Sequence, residues 1–455
     1  MSRIVSLFIG CCGLGLMAIP LNAATFHVPA EQPTIQAGIN VAQTGDTVLV
    51  ASGTYSEAIT FLSKSIVVMS ESGAATTIIV SPAKNLARPR LPADLDSLGS
   101  PAAYAAYYAE AEAQAATPVV TIPPGSDGTT VLSGFTIDGG NATQGIFCDG
   151  SNPVIRECII EHGQGFKDGG GLFFQNCGPE VRDNIIRYNA TPVTGAGLFM
   201  RLGTTGSVAR VIGNKIYGNQ GGNGPAISLI EGSDAVVSRN IVYGNIVPTP
   251  GSYIRGVVYV RAANVAVVNN TINGNTRGLL ALTVKNVDIR NNIISNNIEG
   301  GFELRDDDGP NVNVTWDYND VWNNAGNNYL RLAGPAANDI SADPLFEPTY
   351  PETYYLLGLS PCRDGGDPDP VYNDPDGSRN DIGAFYYQYL LGDANGDRKI
   401  NIGDAVYIVN YVFRGGPEPL PLGAGDANCD GNVDTGDAVY LVNYIFRGGP
   451  APACP

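Results

Sequence analysis

The chain has 455 residues, which is more than one typical domain, and only 15% of them are charged while 57 are glycine. This composition argues against a long helical protein and favours many tight turns. The formal net charge is −18, so the chain lacks the basic character that nucleic-acid binding requires.

The N-terminal residues 1–23 have the pattern of an export signal. Arg3 supplies a positive charge, residues 4–19 are apolar, and Ala23 offers a small residue for cleavage before Ala24. The apolar run is too short for a stable span, and no later segment has the ~20 apolar residues of a transmembrane helix. We therefore expect a secreted or cell-surface protein, with a lipid anchor near Cys11 as the alternative.

Six cysteines remain after this segment, an even number that permits disulfides in an exported chain. We expect Cys429 to pair with Cys454, since both lie in the last part of the chain. Cys148, Cys158 and Cys177 are also explained as small buried hydrophobic residues. The sequence has no CxxC pair, which argues against a zinc site.

Residues 182–324 contain near-repeats rich in asparagine, with a period of 22–30 residues. The first column of asparagines in register is Asn184, Asn214, Asn240, Asn270, Asn292 and Asn319, and the second is Asn189, Asn219, Asn245, Asn275, Asn297 and Asn324. Short apolar alternations at this period predict a strand-only solenoid, a parallel β-helix rather than a leucine-rich repeat. We expect each asparagine to hydrogen-bond to its neighbours above and below, in a structural role.

The two ends of this region carry a family resemblance. Residues 33–61 resemble the N-terminal coil of the pectin-lyase-like right-handed β-helix superfamily, with a capping helix at 36–42 and a first strand in GDTVLV. Segments at 343–348, 357–368 and 374–387 resemble the closing part of bacterial proteins of that kind. The resemblance implies an all-β right-handed parallel β-helix over residues 24–387. Residues 84–117 predict a helical insertion, either packed on the solenoid or forming a lid over a sugar-binding cleft.

The superfamily includes pectate lyases and polygalacturonases but also inert surface proteins, so activity depends on a site. The GHG and RIK motifs of polygalacturonase-like enzymes are missing, and we assign no catalytic residue. Two clusters are candidates, each with a solvated, salt-bridged turn as the alternative. The first, for lyase chemistry, comprises Glu157, Glu161, His162, Lys167, Asp168, Asp183 and Arg187; the second, for a carboxylate-pair hydrolase, comprises Glu303, Arg305, Asp306, Asp307 and Asp308.

The C-terminal part contains a duplication. Residues 392–419 and 425–452 are identical at 19 of 28 positions, with an offset of 33 residues. Each copy begins with oxygen-bearing side chains at positions 1, 3, 5, 9 and 12 of a calcium loop, where a tight turn directs alternate residues inward, and a backbone carbonyl fills position 7. The predicted ligands are Asp393, Asn395, Asp397, Lys399, Asn401 and Asp404 in the first loop, and Asp426, Asn428, Asp430, Asn432, Asp434 and Asp437 in the second.

Both loops carry Asp at position 12, and each leads directly into one helix, predicted at 405–413 and 438–446. In these features residues 391–455 resemble a type I dockerin, a small α-helical module. The resemblance implies two bound Ca²⁺ ions and a cohesin-type protein partner. One departure is Arg398, which occupies position 6 where glycine is expected, so the first site should be weaker. Loop positions 10 and 11, Ile402-Gly403 and Thr435-Gly436, help read the partner in known dockerins.

Together these features predict a secreted, polysaccharide-directed β-helix protein, with glycoside hydrolase or polysaccharide lyase chemistry open, that a dockerin tethers to a cohesin-bearing partner. The main alternative is a non-catalytic surface, adhesion or structural solenoid. A third hypothesis makes the repeats an intramolecular clamp, which should bury Val406, Tyr407, Val439 and Tyr440 against the β-helix. A dockerin for another protein should leave one helix face exposed. Neutral glycans fit an acidic protein as well as calcium-bridged pectin does.

Overall fold

The computed structural model describes residues 23–83, 117–201, 208–232, 234–248, 256–261, 264–307, 309–347 and 353–453. The predicted export signal up to residue 22 and nearly all of the predicted helical insertion lie outside these ranges. The described chain forms three parallel sheets, called A, B and C in the order in which each coil visits them. The prediction of a right-handed parallel β-helix is confirmed, with about ten coils.

The strands have two to five residues each and are numbered in chain order. Sheet A contains β1 (Thr25–Val28), β2 (Thr47–Val50), β5 (Val67–Ser70), β8 (Val131–Ser133), β11 (Val154–Arg156), β14 (Glu180–Arg182), β17 (Ala209–Ile212), β20 (Asp234–Ser238), β23 (Asn264–Val268), β26 (Asn286–Arg290) and β29 (Val314–Asp317). Sheet B contains β3 (Gly53–Ser56), β6 (Thr77–Val80), β9 (Thr136–Asp138), β12 (Ile159–Glu161), β15 (Ile185–Arg187), β18 (Lys215–Tyr217), β21 (Ile241–Tyr243), β24 (Thr271–Asn273), β27 (Ile293–Ser295) and β30 (Asp320–Trp322). Sheet C contains β4 (Ile59–Thr60), β7 (Val120–Ile122), β10 (Ile146–Asp149), β13 (Leu172–Gln175), β16 (Leu198–Arg201), β19 (Ile227–Ile230), β22 (Val258–Arg261), β25 (Leu279–Leu282), β28 (Phe302–Arg305) and β31 (Tyr329–Arg331).

Stacking in register places equivalent residues of successive coils in columns. Ile160, for example, pairs with Ile186 in the next coil, and both side chains are fully buried in one continuous core cluster. Because side chains alternate along a strand, the residues on either side of Ile160 point outward. In a three-residue strand such as β12 the middle residue therefore faces the core and its two neighbours face outward.

The two asparagine columns form the predicted ladders. In the first column, Asn240 Nδ2 donates to Asn270 Oδ1 at 3.0 Å, and Asn240 Oδ1 accepts from the amide nitrogen and Nδ2 of Asn214 at 2.9 Å each. The first column begins at Asn184, whose Oδ1 accepts from the backbone of Cys158. The ladders satisfy polar groups at two turns of each coil that are closed to water.

A short helix, α1 (Ile35–Val41), packs on the N-terminal coil, and Thr34 is its N-cap. The predicted capping helix is therefore present, one residue earlier than expected. The prediction that GDTVLV forms the first strand is wrong: residues 25–28 form β1 and pair in parallel with β2. The close approach of α1 to β2 requires Gly38, since a Cβ there would lie 2.8 Å from Val48 Cγ1.

The described residues of the segment 340–387, which are 340–347 and 353–387 and are called the closing segment, pack against the outer face of sheet B in its last four coils. The backbone nitrogen of Ala384 donates to Thr271 Oγ1 at 3.0 Å, and Cys362 Sγ lies 3.2 Å from Asp320 Oδ2. Ile293 is buried in a cluster with Leu356, Cys362 and Ile382. A 3-10 turn at Pro370–Tyr372 lies within this segment.

The outer face of sheet C is also covered. In β16, Phe199 points outward yet is fully buried, as are its inward-facing neighbours Leu198 and Met200. The loops that join sheets B and C fold over this face, and a Cβ on Gly195 would lie 2.5 Å from Phe199 Cβ. Gly195 has φ +69, a conformation that glycine adopts without steric cost. The same relation holds between Gly169 and Phe173 in the preceding coil.

The C-terminal helices are α2 (Ile402–Arg414) and α3 (Thr435–Arg447), with a 3-10 turn at Leu422–Gly425. Both helices begin three residues before the predicted positions because Asn401 and Asp434 act as N-caps. Cys429 is disulfide-bonded, and its expected partner Cys454 lies outside the described residues. Cys148, Cys158 and Cys177 are buried free thiols.

Candidate functional sites

The first acidic loop gathers its carboxylates through backbone hydrogen bonds. Asp393 accepts from the backbone nitrogens of Asp397 at 3.0 Å and Arg398 at 2.8 Å. Asp404 accepts from the nitrogens of Asn395 at 3.2 Å and Asn401 at 2.8 Å. Asp404, at position 12, therefore connects the start of the loop and the end of the loop to the first turn of the helix that follows.

The second loop repeats this network at the equivalent residues. Asp426 accepts from the backbone nitrogens of Asp430 at 3.1 Å and Gly431 at 2.9 Å. Asp437 accepts from Asn428 at 3.1 Å and Asp434 at 2.8 Å. The duplication in sequence is thus a duplication of geometry, and it extends to the capping boxes of α2 and α3.

The donor set of each loop fits a hard divalent cation, which prefers oxygen ligands in a flexible loop. Asp393, Asp404 and Asp437 are fully buried. Burial raises the pKa of Asp393 to about 6 and raises the pKa of Asp404 and of Asp437. Carboxylates buried next to other carboxylates are costly unless a cation compensates their charge. The ligand assignment from the sequence stays a prediction.

An open groove of about 560 Å³ runs between α2 and α3. The two helices line it with equivalent residues: Ile402, Ala405, Val406, Val409, Asn410 and Arg414 from α2, and Thr435, Ala438, Val439, Val442, Asn443 and Arg447 from α3. Val406 is 52% exposed and Val439 is 59% exposed. Burial of these two valines against the β-helix, which the clamp hypothesis requires, is not found. Ile402 and Thr435 occupy loop position 10, which the dockerin resemblance predicts to contact the partner.

On the β-helix, the first candidate cluster is divided among three places. Glu157 and Asp183 lie at the corner between sheets A and B, where both adopt positive φ. There Glu157 pairs with Arg156 at 3.0 Å, and Asp183 pairs with Arg182 at 2.9 Å. These two residues are exposed, salt-bridged turn residues, as the alternative interpretation expected.

Lys167 and Asp168 lie in a loop between sheets B and C. Asp168 is 8% exposed, and its Oδ1 has no hydrogen-bond partner among the described residues. Burial raises the pKa of this carboxyl to about 6. The loop therefore separates these two residues from the remaining members of the cluster, which are on the face of sheet B.

Glu161, His162 and Arg187 do come together on the outer face of sheet B. Arg187 Nε donates to Glu161 Oε2 at 2.7 Å, and His162 Nδ1 lies 3.2 Å from Asp138 Oδ1. One ligand atom each from Asp138, Glu161 and His162 lies within 4.8 Å of the other two, a spacing at which they could hold a metal ion. Asp138 was missed by the sequence analysis, although it precedes the Gly-rich turn in the same way as Glu161.

A column of tyrosines continues this face toward the C-terminus. Tyr188 and Tyr217 have ring centroids 5.5 Å apart, and Tyr217 and Tyr243 stack at 4.8 Å. Tyr243 then contacts Tyr354 of the closing segment at 5.5 Å. We call the uncovered part of this face the open strip; it comprises Asp138, Glu161, His162, Arg187, Tyr188, Lys215 and Tyr217. Aligning the asparagine repeats also brings Tyr217 and Tyr243 into register, with Tyr188 one position later, so their column could have been predicted from the sequence.

The second candidate cluster is an ion-pair network centred on a buried carboxylate. Glu303 is 4% exposed and lies 2.9 Å from Arg277, 3.6 Å from Arg305 and 3.8 Å from Arg331. Arg305 also contacts Asp307. A hydrolase needs two carboxylates that face substrate, whereas Glu303 is enclosed by arginines, so this arrangement fits a structural role. Asp308 lies outside the described residues.

Comparisons with known proteins agree with this division of the chain. Residues 391–446 match the dockerin type I domain, and residues 195–338 match the right-handed beta helix region. No curated protein matches the chain. Within the part of the chain that the structure describes, no helix is long and apolar enough to cross a membrane.

Among solved structures, the pectate lyase Pel9A is 14% identical, with a TM-score of 0.45 over 80% of this chain and 96% of its own. The A-module of the mannuronan C-5 epimerase AlgE4 from Azotobacter vinelandii is 14% identical, with a TM-score of 0.34 over 68% of this chain and 95% of its own. A pectin methylesterase is 11% identical, with a TM-score of 0.33 over 72% of this chain and 94% of its own. At these values the similarities carry no argument about activity. The two family matches show that the chain joins a right-handed parallel β-helix to a C-terminal dockerin type I domain.

Proposed function

We propose that this is a secreted protein in which a calcium-loaded dockerin attaches a polysaccharide-directed β-helix to a cohesin-type partner. Residues 1–23 would direct export, residues 24–387 would form the β-helix with its insertion at 84–117, and residues 391–455 would form the dockerin. The observation that carries the proposal is the exposed apolar groove between α2 and α3, next to two matched acidic loops.

The groove suits a protein partner. Four valines, two from each helix, give it an apolar lining, and Arg414 and Arg447 line it as well. Exposed apolar patches rimmed by polar residues mark protein–protein contact sites. The N-cap of each helix, Asn401 or Asp434, is position 9 of a calcium loop, so cation binding would set the position of both helix N-termini. Calcium would thus be required to present the groove in one shape.

The test is binding of the full chain to a panel of purified cohesin domains, with calcium and with EGTA. We expect calcium-dependent binding that Val406→Asp and Val439→Asp weaken at least about tenfold, because a charge would be buried at the interface. Val371→Asp is the matched control, since Val371 is 77% exposed on the closing segment. If the groove substitutions leave the affinity for cohesin unchanged, or if no cohesin binds in calcium, the partner assignment is refuted.

For the β-helix we propose that the open strip contacts the glycan. Its tyrosines offer amphipathic rings with polar tips, and Tyr188 is 50% exposed. Arg187 and Lys215 place positive charge between them, while Asp138 and Glu161 place negative charge at the other end. The strip ends where Tyr354 of the closing segment packs against Tyr243. This mixture of rings and charges suits a hydroxyl-rich chain, neutral or partly acidic.

The corresponding test measures retardation of the full chain in gels that contain neutral or acidic polysaccharides, together with product formation. Tyr188→Ala should abolish retardation, and Tyr389→Ala, at an equally exposed tyrosine, should not. Ultraviolet absorbance of unsaturated products would indicate lyase chemistry, and new reducing ends without absorbance would indicate hydrolysis. Retardation without products would favour the non-catalytic alternative, a binding solenoid, and equal retardation of both variants would refute the open strip as the site.

A further inference from the structure

Arg398 occupies the left-handed position of the first calcium loop, with φ +62. Gly431 holds the equivalent position of the second loop with φ +89, and a Cβ there would meet nothing within 4 Å. A residue with a side chain is disfavoured in this conformation. The side chain of Arg398 must therefore gain contacts that Gly431 does not need, and it finds them on the β-helix.

The guanidinium of Arg398 contacts four residues that precede the calcium loop. Nε donates to Glu347 Oε1 at 3.0 Å, and Nη1 donates to the carbonyl oxygen of Gln388 at 3.1 Å. The guanidinium carbon lies 4.8 Å from the ring centroid of Tyr355 and 5.9 Å from that of Tyr387. The side chains of Arg398 and Glu347 are each only 18% exposed, so this charge pair is largely shielded from water.

A second contact joins the two backbones directly. The nitrogen of Gly358, in the closing segment, donates to the carbonyl oxygen of Gly396 in the loop at 3.1 Å. A Cβ on Gly358 would lie 3.0 Å from the Cα of Gly396, and a Cβ on Gly396 would lie 3.1 Å from the Cα of Gly358. The loop and the closing segment therefore approach each other so closely that a Cβ at either glycine would require the opposite backbone to shift by a few tenths of an ångström.

The same residues also shape the predicted cation site. The backbone nitrogen of Arg398 donates to Asp393 Oδ2 at 2.8 Å, and Gly396 lies between Asp393 and Asp397. Asp393 is fully buried, whereas its counterpart Asp426 in the second loop is partly exposed. Contacts that hold the backbone around Asp393 would preorganise the carboxylate for a cation.

We infer that the outer side of the first calcium loop is a docking surface for the closing segment of its own β-helix, and that calcium in this loop and the docked orientation stabilise each other. Coupling of this kind is reciprocal, so each event strengthens the other by the same factor. The inference rests on calcium binding by the loop but goes beyond attachment to a partner. The groove between α2 and α3 would then be held in a defined direction relative to the β-helix.

The test compares the full chain with its Glu347→Ala variant, which leaves the calcium loop unchanged. In calorimetric titrations with CaCl₂ we expect one of two sites to weaken about fivefold or more, the range typical of such coupling. Small-angle scattering should show a larger radius of gyration for the variant than for the wild type in calcium. The wild type should expand when EGTA is added.

Substitutions at position 6 of the two calcium loops distinguish the effect of docking from the effect of backbone strain within a loop. Arg398→Gly should enlarge the radius of gyration in calcium, whereas Gly431→Arg should leave it unchanged and weaken only the second site. Equal calcium affinities and equal radii for wild type and Glu347→Ala would overturn the coupling. If the wild type binds no calcium at either loop, the calcium proposal itself fails, which is a different result.

A separate observation concerns the thiols of Cys148 and Cys177. Their sulfur atoms lie 3.2 Å apart in the core, on neighbouring coils, and both residues are at most 1% exposed. Cys158 Sγ, by comparison, contacts backbone oxygens of Leu132 and Arg156.

We propose that Cys148 and Cys177 close into a disulfide between adjacent coils when the chain folds with a disulfide oxidant. As the chain folds, the thiolate of one of the two cysteines attacks oxidised glutathione and releases one glutathione thiol. The other cysteine then attacks the mixed disulfide and releases the second, so two protein thiols are oxidised as one glutathione disulfide is reduced.

The experiment refolds the full chain in a glutathione redox buffer, then alkylates it under denaturing conditions and maps its peptides by mass. We expect one linked peptide that contains Cys148 and Cys177, while Cys158 and Cys362 are alkylated. The linked chain should melt several degrees higher than the Cys148→Ser variant. Alkylation of both Cys148 and Cys177 in the refolded protein would overturn the pair.

Discussion

Replacing Asn240 with alanine tests how much one rung of the asparagine ladder stabilises the β-helix. The Asn240 side chain is fully buried and has five hydrogen-bond contacts: the two hydrogens of Nδ2 are shared among three acceptors, and Oδ1 accepts two bonds. The groups left behind cannot reach water, so at about 1 kcal/mol for each bond, with some sharing, the loss is about 4 kcal/mol. A cavity the size of the missing amide adds to this cost.

The assay is urea and thermal unfolding of the full chain, followed by circular dichroism, with Asn286→Ala as the matched control. Asn286 belongs to an exposed ladder, in which it accepts from Asn313 at 2.9 Å and donates to Asn264 at 2.8 Å. Water replaces these bonds, so the control should lose no more than about 0.5 kcal/mol. Equal losses of unfolding free energy for the two variants would refute the argument that an asparagine stabilises the β-helix because it is buried, and not merely because it belongs to a ladder.

Three further predictions concern other parts of the chain. The double variant Asp393→Ala with Asp426→Ala should abolish calcium-dependent folding of the C-terminal module; unchanged calcium binding by calorimetry would refute the ligand assignment. Burial raises the pKa of Asp320 to about 7, so its stabilising contribution is fully present below the unfolded value near pH 4 and is lost as pH rises through 7. The melting temperature should therefore fall between pH 5 and pH 8, and Asp320→Asn should flatten that fall; an equal slope in the variant would contradict it. Gly195→Ala should cost about 3 kcal/mol or more because its Cβ would lie 2.5 Å from Phe199 Cβ and 2.8 Å from Phe199 Cα, against about 1 kcal/mol for Gly244→Ala, whose Cβ meets nothing within 4 Å; similar melting temperatures would disprove this explanation.

The ladder residues were predictable because their signal is local and repeated. Asn184 and Asn189 each follow a residue with positive φ at a tight turn, and every coil reproduces that turn. The network of the acidic loops was predictable for the same reason, since one loop of twelve residues contains the whole predicted ligand set. The helix starts were predicted too late because Asn401 and Asp434 serve both as predicted ligands and as N-caps.

The candidate cluster on the β-helix could be predicted only in part. Glu157 and Glu161 are four residues apart, yet a turn separates them onto different sides of the coil. Glu161 and Asp138 are 23 positions apart in the chain but adjacent in register. Which residues share a face depends on the length of each turn between strands. Because the period varies from 22 to 30 residues, the sequence does not show how long each turn is.

The sequence by itself determined the stacked coils, the two asparagine columns and the paired acidic loops, because periodic side chains and short loops encode them locally. Only the tertiary structure decided which outer faces are covered and how the two parts of the chain meet. The closing segment reaches Thr271 from Ala384, 113 residues away, and Arg398 meets Glu347 across 51 residues. Such contacts depend on shape and packing between distant segments, and the residue pattern of neither segment reveals the other.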